Sequence, residues 1–175
     1  IGILTPETTT KTKADIIAPF EIKDPAEVVN ALVPEVKKAG ADLVVVLSHL
    51  GALQDSETGE ITGEAAELAK NVTGVDAIIA GHTHANVSGF VNNIPIVANN
   101  YNGRSAGHVD IFIDAKTKTV TRVTPYLDSS IIKAPEDVNV KNWYAFIQKS
   151  IAPIKNEVIG KAAADFPHSP KDTQT

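Results

Sequence analysis

The sequence predicts an α/β fold whose mixed sheet begins with parallel strand–helix–strand units and continues with antiparallel strands. Two apolar runs, 42–48 and 76–80, are each preceded by an amphipathic helical pattern, which is typical of parallel strands joined by crossover helices. The second half carries segments of alternating polarity separated by short turns, which is typical of antiparallel pairing. Both apolar runs also lead directly into histidines, which points to chemistry at the strand ends.

The first half begins with a strand, a loop and a helix. Residues 1–5 are apolar enough for a strand, and 5–13 predict a Thr-rich loop. The Asp-Pro pair at 24–25 starts a helix, because Asp caps helix N-termini and Pro fits the first turn. Gly40 ends this helix, and Pro34 is expected to kink it because a proline removes one backbone hydrogen bond.

The two apolar runs are separated by a loop and a second helix. After the strand at 42–48, the polar stretch 51–59 predicts a loop. Thr62 is expected to cap a helix whose small apolar residues share one face. Gly74 is expected to end that helix before the strand at 76–80.

Antiparallel pairing dominates the second half. Residues 87–91 and 94–98 flank an Asn-Asn turn, which predicts a hairpin. Residues 109–113 alternate in polarity and turn back into 119–126, which predicts a second antiparallel pair. A final helix is predicted over 139–158.

Composition excludes several classes of function. The 175 residues are 43% hydrophobic and 21% charged, which is ordinary for one globular domain. The net charge is −5 and there is no run of Lys or Arg, so the basic surface that binds a nucleic-acid polymer is missing. No apolar run approaches the ~18 residues of a membrane span. Cysteine is absent, which excludes disulfides and thiolate metal sites.

The two ends of the sequence predict a segment of a longer protein. The chain opens on an apolar strand with neither an initiator methionine nor a signal peptide. Residues 159–175 are polar and contain prolines, as in a linker or the start of a following domain. We therefore expect the folded domain to occupy residues 1–158.

Three of the five histidines follow the predicted parallel strands. His49 follows the first run, and His82 and His84 follow the second after Gly81. Ligands bind at the carboxyl ends of strands in open α/β sheets, and imidazole is a ligand for Zn, Mn or Fe. If the backbone stays extended past Gly81, His82 and His84 share one face and can bind one ion, or one each of two ions about 3.5–4 Å apart. The sequence therefore predicts a metal site.

Plainer interpretations stay open for single residues. A histidine after a strand is often only a surface or hydrogen-bonded side chain, and it is the joint occurrence at two strand ends that favours a metal. His108 and His168 are predicted to be structural or solvated. Arg104, after an Asn-rich turn, either approaches a phosphate or is an exposed residue that stabilises the turn.

Four segments resemble one known family. LSHLG at 47–51 and AGHTH at 80–84 are similar to the two C-terminal metal motifs of calcineurin-like metallophosphoesterases, specifically the 5′-nucleotidase and 2′,3′-cyclic phosphodiesterase group. TPETTTK at 5–11 and IVANNYNG at 96–103 resemble neighbouring segments of that group. The resemblance implies that the chain is the C-terminal half of a catalytic domain, and therefore half of an α/β sandwich.

The resemblance implies a ligand set that is shared with a missing segment. His49 and His82 resemble the two histidines on one ion, and His84 resembles a ligand of the other. The remaining ligands of such enzymes, and the group that protonates the leaving group, lie in Asp-x-His, Gly-Asp and Gly-Asn-His-Asp/Glu motifs that this sequence lacks. No catalytic residue is therefore assigned here, the substrate-binding residues are unknown, and the cofactors expected in the intact domain are two divalent ions such as Zn or Mn.

The function implied is hydrolysis of nucleoside monophosphates by a two-metal 5′-nucleotidase. A 2′,3′-cyclic-nucleotide 2′-phosphodiesterase/3′-nucleotidase is the alternative within the family, and a non-catalytic binding or scaffold module is the alternative from another class. The expected partners are a nucleotide, the N-terminal half of the catalytic domain and a C-terminal substrate domain. The isolated chain is expected to be inactive. The family implies an extracellular, cell-wall or periplasmic location.

Overall fold

The computed structural model describes residues 1–164. The chain divides into two compact units, Ile1–Ala134 and Pro135–Thr175. The predicted role of His168 lies outside the described residues. The predicted domain end at residue 158 stays a prediction.

Nine strands and five helices follow one another along the described residues. In chain order they are β1 (Gly2–Ile3), α1 (Thr8–Lys11), α2 (Ala14–Ile17), α3 (Pro25–Lys38), β2 (Val45–Gly51), β3 (Leu53–Gln54), β4 (Ile61–Thr62), α4 (Glu64–Asn71), β5 (Ala77–Gly81), β6 (Val87–Val91), β7 (Ile94–Ala98), β8 (Ala106–Ile113), β9 (Val120–Asp128), a 3-10 turn (Ser130–Lys133) and α5 (Val138–Lys155).

The main sheet has five strands in the order β1-β2-β5-β7-β6. The first four are parallel to one another, and β6 pairs antiparallel with β7. Helix α3 connects β1 to β2, and α4 lies between β2 and β5 in the chain, as crossover connections require. The predicted fold class, a mixed sheet with parallel units first and antiparallel strands later, is confirmed.

Helix α3 begins and ends as its sequence predicts. The Asp24 side chain accepts a hydrogen bond from the Glu27 N–H at 2.9 Å, and Pro25 occupies the first turn. The helix continues through Pro34 to Lys38 and is followed by Gly40 at φ +102°. Asp24 therefore acts as the predicted N-cap.

The core lies between one face of the main sheet and helices α3 and α4. Val46, Ile78 and Ile96 are register partners on three adjacent strands and are fully buried. Val29 of α3 and Leu68 of α4 belong to the same cluster. This row of β-branched side chains is the apolar layer that the two apolar runs predict.

The opposite face of the sheet is covered at one end only. The next register row runs from Leu47 through Ile79 to Val97, and its exposure falls in that order from 64% through half-buried to fully buried. The β8–β9 hairpin packs against β6 and β7, so it covers the Val97 end. The Leu47 end is open.

Several local predictions are wrong. The loop predicted at 5–13 contains the helical turn α1, and the loop predicted at 51–59 contains β3, which pairs with β4. Thr62 lies in β4 and does not cap α4, because Gly63 at φ +98° is the N-cap residue and no side chain caps that end. The predictions failed where two-residue strands pair, because two residues are too few to show the alternation of polar and apolar side chains that identifies a strand.

The antiparallel half follows its prediction closely. Strands β6 and β7 occupy the predicted residues, and Asn92 and Asn93 turn between them at φ +50° and +62°, as a type I′ turn requires. Strands β8 and β9 form their own two-stranded sheet. The alternation of polarity therefore identified this pairing correctly.

Helix α5 belongs to the second unit. Asp137 caps it by accepting from the Asn139 and Val140 N–H groups at 2.9 and 3.0 Å. The helix keeps Pro153 inside it, and its large side chains Trp143 and Phe146 are exposed. None of the helices within residues 1–164 combines the length and hydropathy that a bilayer span requires.

Candidate metal-binding site

His49 lies inside β2, near its carboxyl end, and not after the strand as predicted. The strand begins three residues later than expected, at Val45, and runs to Gly51. Its register with β5 shifts, because Leu47 pairs with Ile79 but Gly51 pairs with Gly81. Three residues of β2 therefore oppose one of β5, and such a bulge bends the strand and redirects the side chains within it.

His82 follows β5 in a strained turn. Its φ is +65°, and the Thr83 N–H donates to the Gly81 carbonyl oxygen at 2.7 Å, which closes a three-residue γ-turn around His82. His84 also has positive φ, at +52°. The backbone therefore does not stay extended past Gly81, so the condition for His82 and His84 to share one face is not met. Turns of this hand are rare and strained for residues with a side chain, and such strain concentrates at functional sites.

The structure brings two of the three predicted histidines together. The ring centroids of His49 and His82 lie 5.1 Å apart with the planes at 65°. His84 instead packs its ring against Tyr101, with centroids 5.8 Å apart. The site thus has a histidine pair and, two residues further along the chain, a third histidine with a different neighbour.

The histidine pair fits part of a metal site. Two imidazole nitrogens on one ion, each about 2.1 Å from it, place the ring centres roughly 5 Å apart. The separation between His49 and His82 agrees with that arrangement. Within residues 1–164, however, no three His, Asp or Glu side chains converge as a ligand set. The assignment of His49, His82 and His84 as metal ligands therefore stays a prediction.

Glu7 contacts His82 and was not identified from the sequence. Its Oε2 lies 3.1 Å from His82 Nε2. The contact brings the loop after β1 to the end of β5, two strands away in the sheet. The signal that could have found Glu7 is its place just after a parallel strand, the same position that singled out the histidines.

Glu64 forms hydrogen bonds with two other chain segments next to the site. The sequence analysis did not identify this residue either. Its Oε1 accepts the Thr5 hydroxyl at 2.7 Å, and its Oε2 accepts the Gly51 N–H at 3.0 Å. Thr5 is 3% exposed, so this hydroxyl is a buried polar group with its partner supplied. The contacts join the end of β1, the end of β2 and the start of α4.

The other candidate residues contact aromatic rings, and the buried Nε2 of His108 has no hydrogen-bond partner among the described residues. The Arg104 guanidinium stacks over the Tyr101 ring at 4.4 Å and donates to its hydroxyl at 3.1 Å, as a residue that stabilises the turn does. His108 stacks on Tyr126 with centroids 4.6 Å apart. Near them, hydrogen bonds from the Ser130 side chain and backbone hold the pKa of Asp128 below its ordinary value, with a smaller contribution from His108.

A cavity of about 540 Å³ lies away from the histidines. Leu50, Glu64 and Asn71 are among its lining residues, together with residues at the start of α3. The cavity reaches Glu64 from the helix side of the sheet and has no histidine in its lining. We therefore place the candidate chemistry at the histidine pair.

The chain is similar to several bacterial proteins. It is 35% identical over 170 residues to "Endonuclease YhcR" of Bacillus subtilis, covering 95% of this chain and 14% of that protein. It is 31% identical over 188 residues to "Cell wall protein Lmo0130" of Listeria monocytogenes, covering 94% and 23%. It is 30% identical over 128 residues to "2′,3′-cyclic-nucleotide 2′-phosphodiesterase/3′-nucleotidase" of Salmonella typhimurium, covering 65% and 20%.

Solved structures share the fold. The calcineurin-like phosphoesterase YfkN of Bacillus subtilis superposes with a TM-score of 0.67 at 23% identity, over 89% of this chain and 50% of that one. The chain belongs to the calcineurin-like phosphoesterases. A putative 5′-nucleotidase from Staphylococcus aureus superposes with a TM-score of 0.65 at 20% identity, over 85% of this chain and 31% of that structure.

The chain spans less than a quarter of each of the three relatives, between 14% and 23% of their lengths. No family model matches it. The family resemblance stated from the two histidine motifs is therefore supported by individual relatives and by the fold.

Proposed function

We propose that this chain forms part of a two-metal phosphoesterase that hydrolyses nucleoside phosphate esters. The observation that carries the proposal is the 5.1 Å approach of the His49 and His82 rings at the carboxyl edge of parallel strands. Two imidazoles from different strands meet there in a spacing that suits one divalent ion. The relatives named as phosphoesterases support the same reaction class.

In this proposal His49 and His82 hold one divalent ion, of the Zn or Mn type, and His84 contributes to a second. Such a pair of ions, when bound, neutralises phosphate oxygens and lowers the pKa of a bound water. The chain's own residues aim and hold the imidazoles. The bulge in β2 directs His49, and the γ-turn directs His82. Neutral histidines alone bind a divalent ion weakly, so we expect carboxylate ligands from a further segment.

The further segment that we propose is the N-terminal half of the catalytic domain. The sheet face that carries Leu47 is open, with that side chain 64% exposed, while the same face is buried at Val97. A second layer of strands over this face would bury Leu47 in the way that the helices bury Val46. We place a substrate-binding domain on the C-terminal side, and we expect the isolated chain to be inactive.

For the substrate we propose nucleoside monophosphates, with 2′,3′-cyclic nucleotides as the second candidate. The Salmonella relative is named for the cyclic substrate and for 3′-nucleotides, and the Staphylococcus structure for 5′-nucleotides. A third candidate is a polynucleotide, because the Bacillus relative YhcR is named an endonuclease. The net charge of −5 in this chain disfavours a long polyanion.

We also propose that the longer protein lies outside the cytoplasmic membrane, in the cell wall, the periplasm or the medium. It is supported by the relative from Listeria, which is named a cell wall protein. Immunodetection of the longer protein in separated culture medium, cell-wall, periplasmic and cytoplasmic fractions tests the location. A signal in one of the first three fractions is the expected result.

The deciding experiment compares substrates on the longer protein that contains this chain. We would measure hydrolysis of AMP, 3′-AMP, 2′,3′-cyclic AMP and a single-stranded oligonucleotide with Mn²⁺ present, in wild type and His82→Ala. The expected result is hydrolysis of at least one mononucleotide that falls by several orders of magnitude in the variant. Equal rates of hydrolysis in wild type and His82→Ala would instead support the hypothesis that this segment is a non-catalytic scaffold.

A further inference from the structure

We propose that Glu7 is a positioning residue that sets the tautomer and ring orientation of His82. The proposal rests on the proposed function in taking His82 as a metal ligand. Glu7 lies between β1 and α1, and its Oε2 is 3.1 Å from His82 Nε2. Metal-binding histidines commonly donate their second ring N–H to a carboxylate, which fixes the nitrogen that is left for the ion.

The contact determines which nitrogen of His82 is free. A carboxylate only accepts hydrogen bonds, so Nε2 of His82 is the donor to Glu7. A neutral imidazole that carries its proton on Nε2 has its lone pair on Nδ1. The Cδ2 edge of the ring is directed to Gly51, where a Cβ would lie 3.6 Å from it. Nδ1 is therefore the nitrogen available to an ion.

Glu7 is itself held in place by buried hydrogen bonds. Its N–H donates to the Thr5 hydroxyl oxygen at 3.1 Å, and the same hydroxyl donates to Glu64 Oε1 at 2.7 Å. The other oxygen of Glu64 accepts the Gly51 N–H at the end of β2. The backbone of Glu7 is thus connected, through Thr5 and Glu64, to β2, the strand that contains His49.

A purely structural role does not explain the contact. The Glu7 side chain is 52% exposed and that of His82 is 28% exposed, so the pair fills no core cavity. A contact between two side chains this exposed to solvent contributes little to the stability of a fold. We therefore assign to the contact the role of fixing the tautomer and the orientation of the His82 ring.

The first test reads the tautomer directly in the metal-free chain. Long-range ¹H–¹⁵N correlation spectra recorded at about pH 8, where imidazole is normally neutral, distinguish the two tautomers. We expect His82 to carry its proton on Nε2 in wild type and in Glu7→Gln, whose amide oxygen still accepts, and to become a mixture in Glu7→Ala. Glu35→Ala, which removes an exposed carboxylate from α3, is the matched control and should leave the spectrum unchanged. A proton on Nδ1 in wild type, or an unchanged pattern in Glu7→Ala, would overturn the proposal.

The second test measures Zn²⁺ affinity by calorimetry on the longer protein that contains this chain, as wild type and with the same three substitutions. Loss of a positioning partner typically lowers metal affinity by about 10–100-fold, and we expect that loss in Glu7→Ala, with most of it restored in Glu7→Gln. Equal affinities in wild type and Glu7→Ala would contradict the positioning role. If the longer wild-type protein binds no Zn²⁺, the proposed metal function fails, and the tautomer comparison by itself then decides the role of Glu7.

Discussion

The hydroxyl of Thr83 forms two hydrogen bonds with Ala52, donating to its carbonyl oxygen at 2.6 Å and accepting from its N–H at 3.2 Å. Ala52 is fully buried and directly follows β2, so Thr83 satisfies both backbone polar groups of this residue just beyond the main sheet. Thr83 also directly follows His82. The Thr83 side chain therefore connects the turn that contains His82 to the segment that follows His49 in the chain.

Replacing Thr83 by Val should destabilise the protein and loosen the histidine pair. Valine has nearly the same shape but leaves the Ala52 N–H and carbonyl without a partner, at a cost of about 1–3 kcal/mol. Urea denaturation measures the change in the free energy of unfolding. Thr83→Ser keeps the hydroxyl and should stay closer to wild type, so equal losses in both variants would contradict this account.

Two glycines near the same turn should not tolerate a methyl group. A Cβ on Gly51 would lie 2.9 Å from the Thr83 Cγ2 atom, and a Cβ on Gly63 would lie 2.8 Å from the Gly51 carbonyl oxygen. We expect Gly51→Ala to lower the free energy of unfolding by about 1–3 kcal/mol through overpacking. Gly63→Ala should cost more, because its close neighbour is backbone and its φ is +98°.

The control for these glycines is Gly2→Ala. Nothing lies within 4 Å of a Cβ built there. We expect its unfolding transition to stay within about 0.5 kcal/mol of wild type. A loss at Gly2 as large as that at Gly51 would show that the contacts at the turn are not the cause.

The positive φ of His82 predicts that glycine is better than alanine at this position. Both substitutions remove the ring and its contact with Glu7, so their difference isolates the backbone. We expect His82→Gly to be more stable than His82→Ala by about 1 kcal/mol, since left-handed backbone is costly for residues with a Cβ. In helix α3, Glu35→Gly should be less stable than Glu35→Ala by a similar amount. The same sign at both positions would contradict the strained turn.

Asp55 should make the stability of the protein depend on pH in the acid range. Hydrogen bonds from the Thr58 N–H, the Thr58 hydroxyl and the Glu57 N–H lower the pKa of this carboxyl from its ordinary value. A carboxyl whose pKa is lower in the folded state stabilises the protein above its unfolded pKa. That stabilisation is lost as the pH falls through the folded pKa.

The test compares wild type with Asp55→Asn, which keeps an acceptor oxygen but has no charge. Wild type should be the more stable protein at neutral pH, and the difference should vanish as the pH falls below the lowered pKa of Asp55. Thermal unfolding followed from neutral to strongly acidic pH measures this. A constant difference across the range would contradict the pKa shift as its source.

Much of the fold follows from local pattern. Apolar runs predicted β2 and β5, the Asp-Pro pair predicted the start of α3, and the Asn-Asn turn predicted the β6–β7 hairpin. Each of these signals acts within a few residues, through capping, turn geometry or alternation, so each can be read without knowing what packs against it. The failures, such as Thr62 and the β3–β4 pair, fell at two-residue strands that pair across a short loop and are too short to show a periodic pattern.

The sequence by itself determined the order of the longer strands and helices, without the short elements α1, β3 and β4, and it placed three histidines near the ends of two parallel strands. Only the tertiary structure decided that His49 meets His82 and that His84 packs on Tyr101, because a bulge in β2 and a left-handed turn redirect these side chains. It alone brought Glu7 to His82 and Glu64 to Thr5, contacts that span 75 and 59 residues. Side chains so far apart in the chain meet only because parallel strands end at one edge of the sheet, and no pattern within a few residues encodes which of them touch.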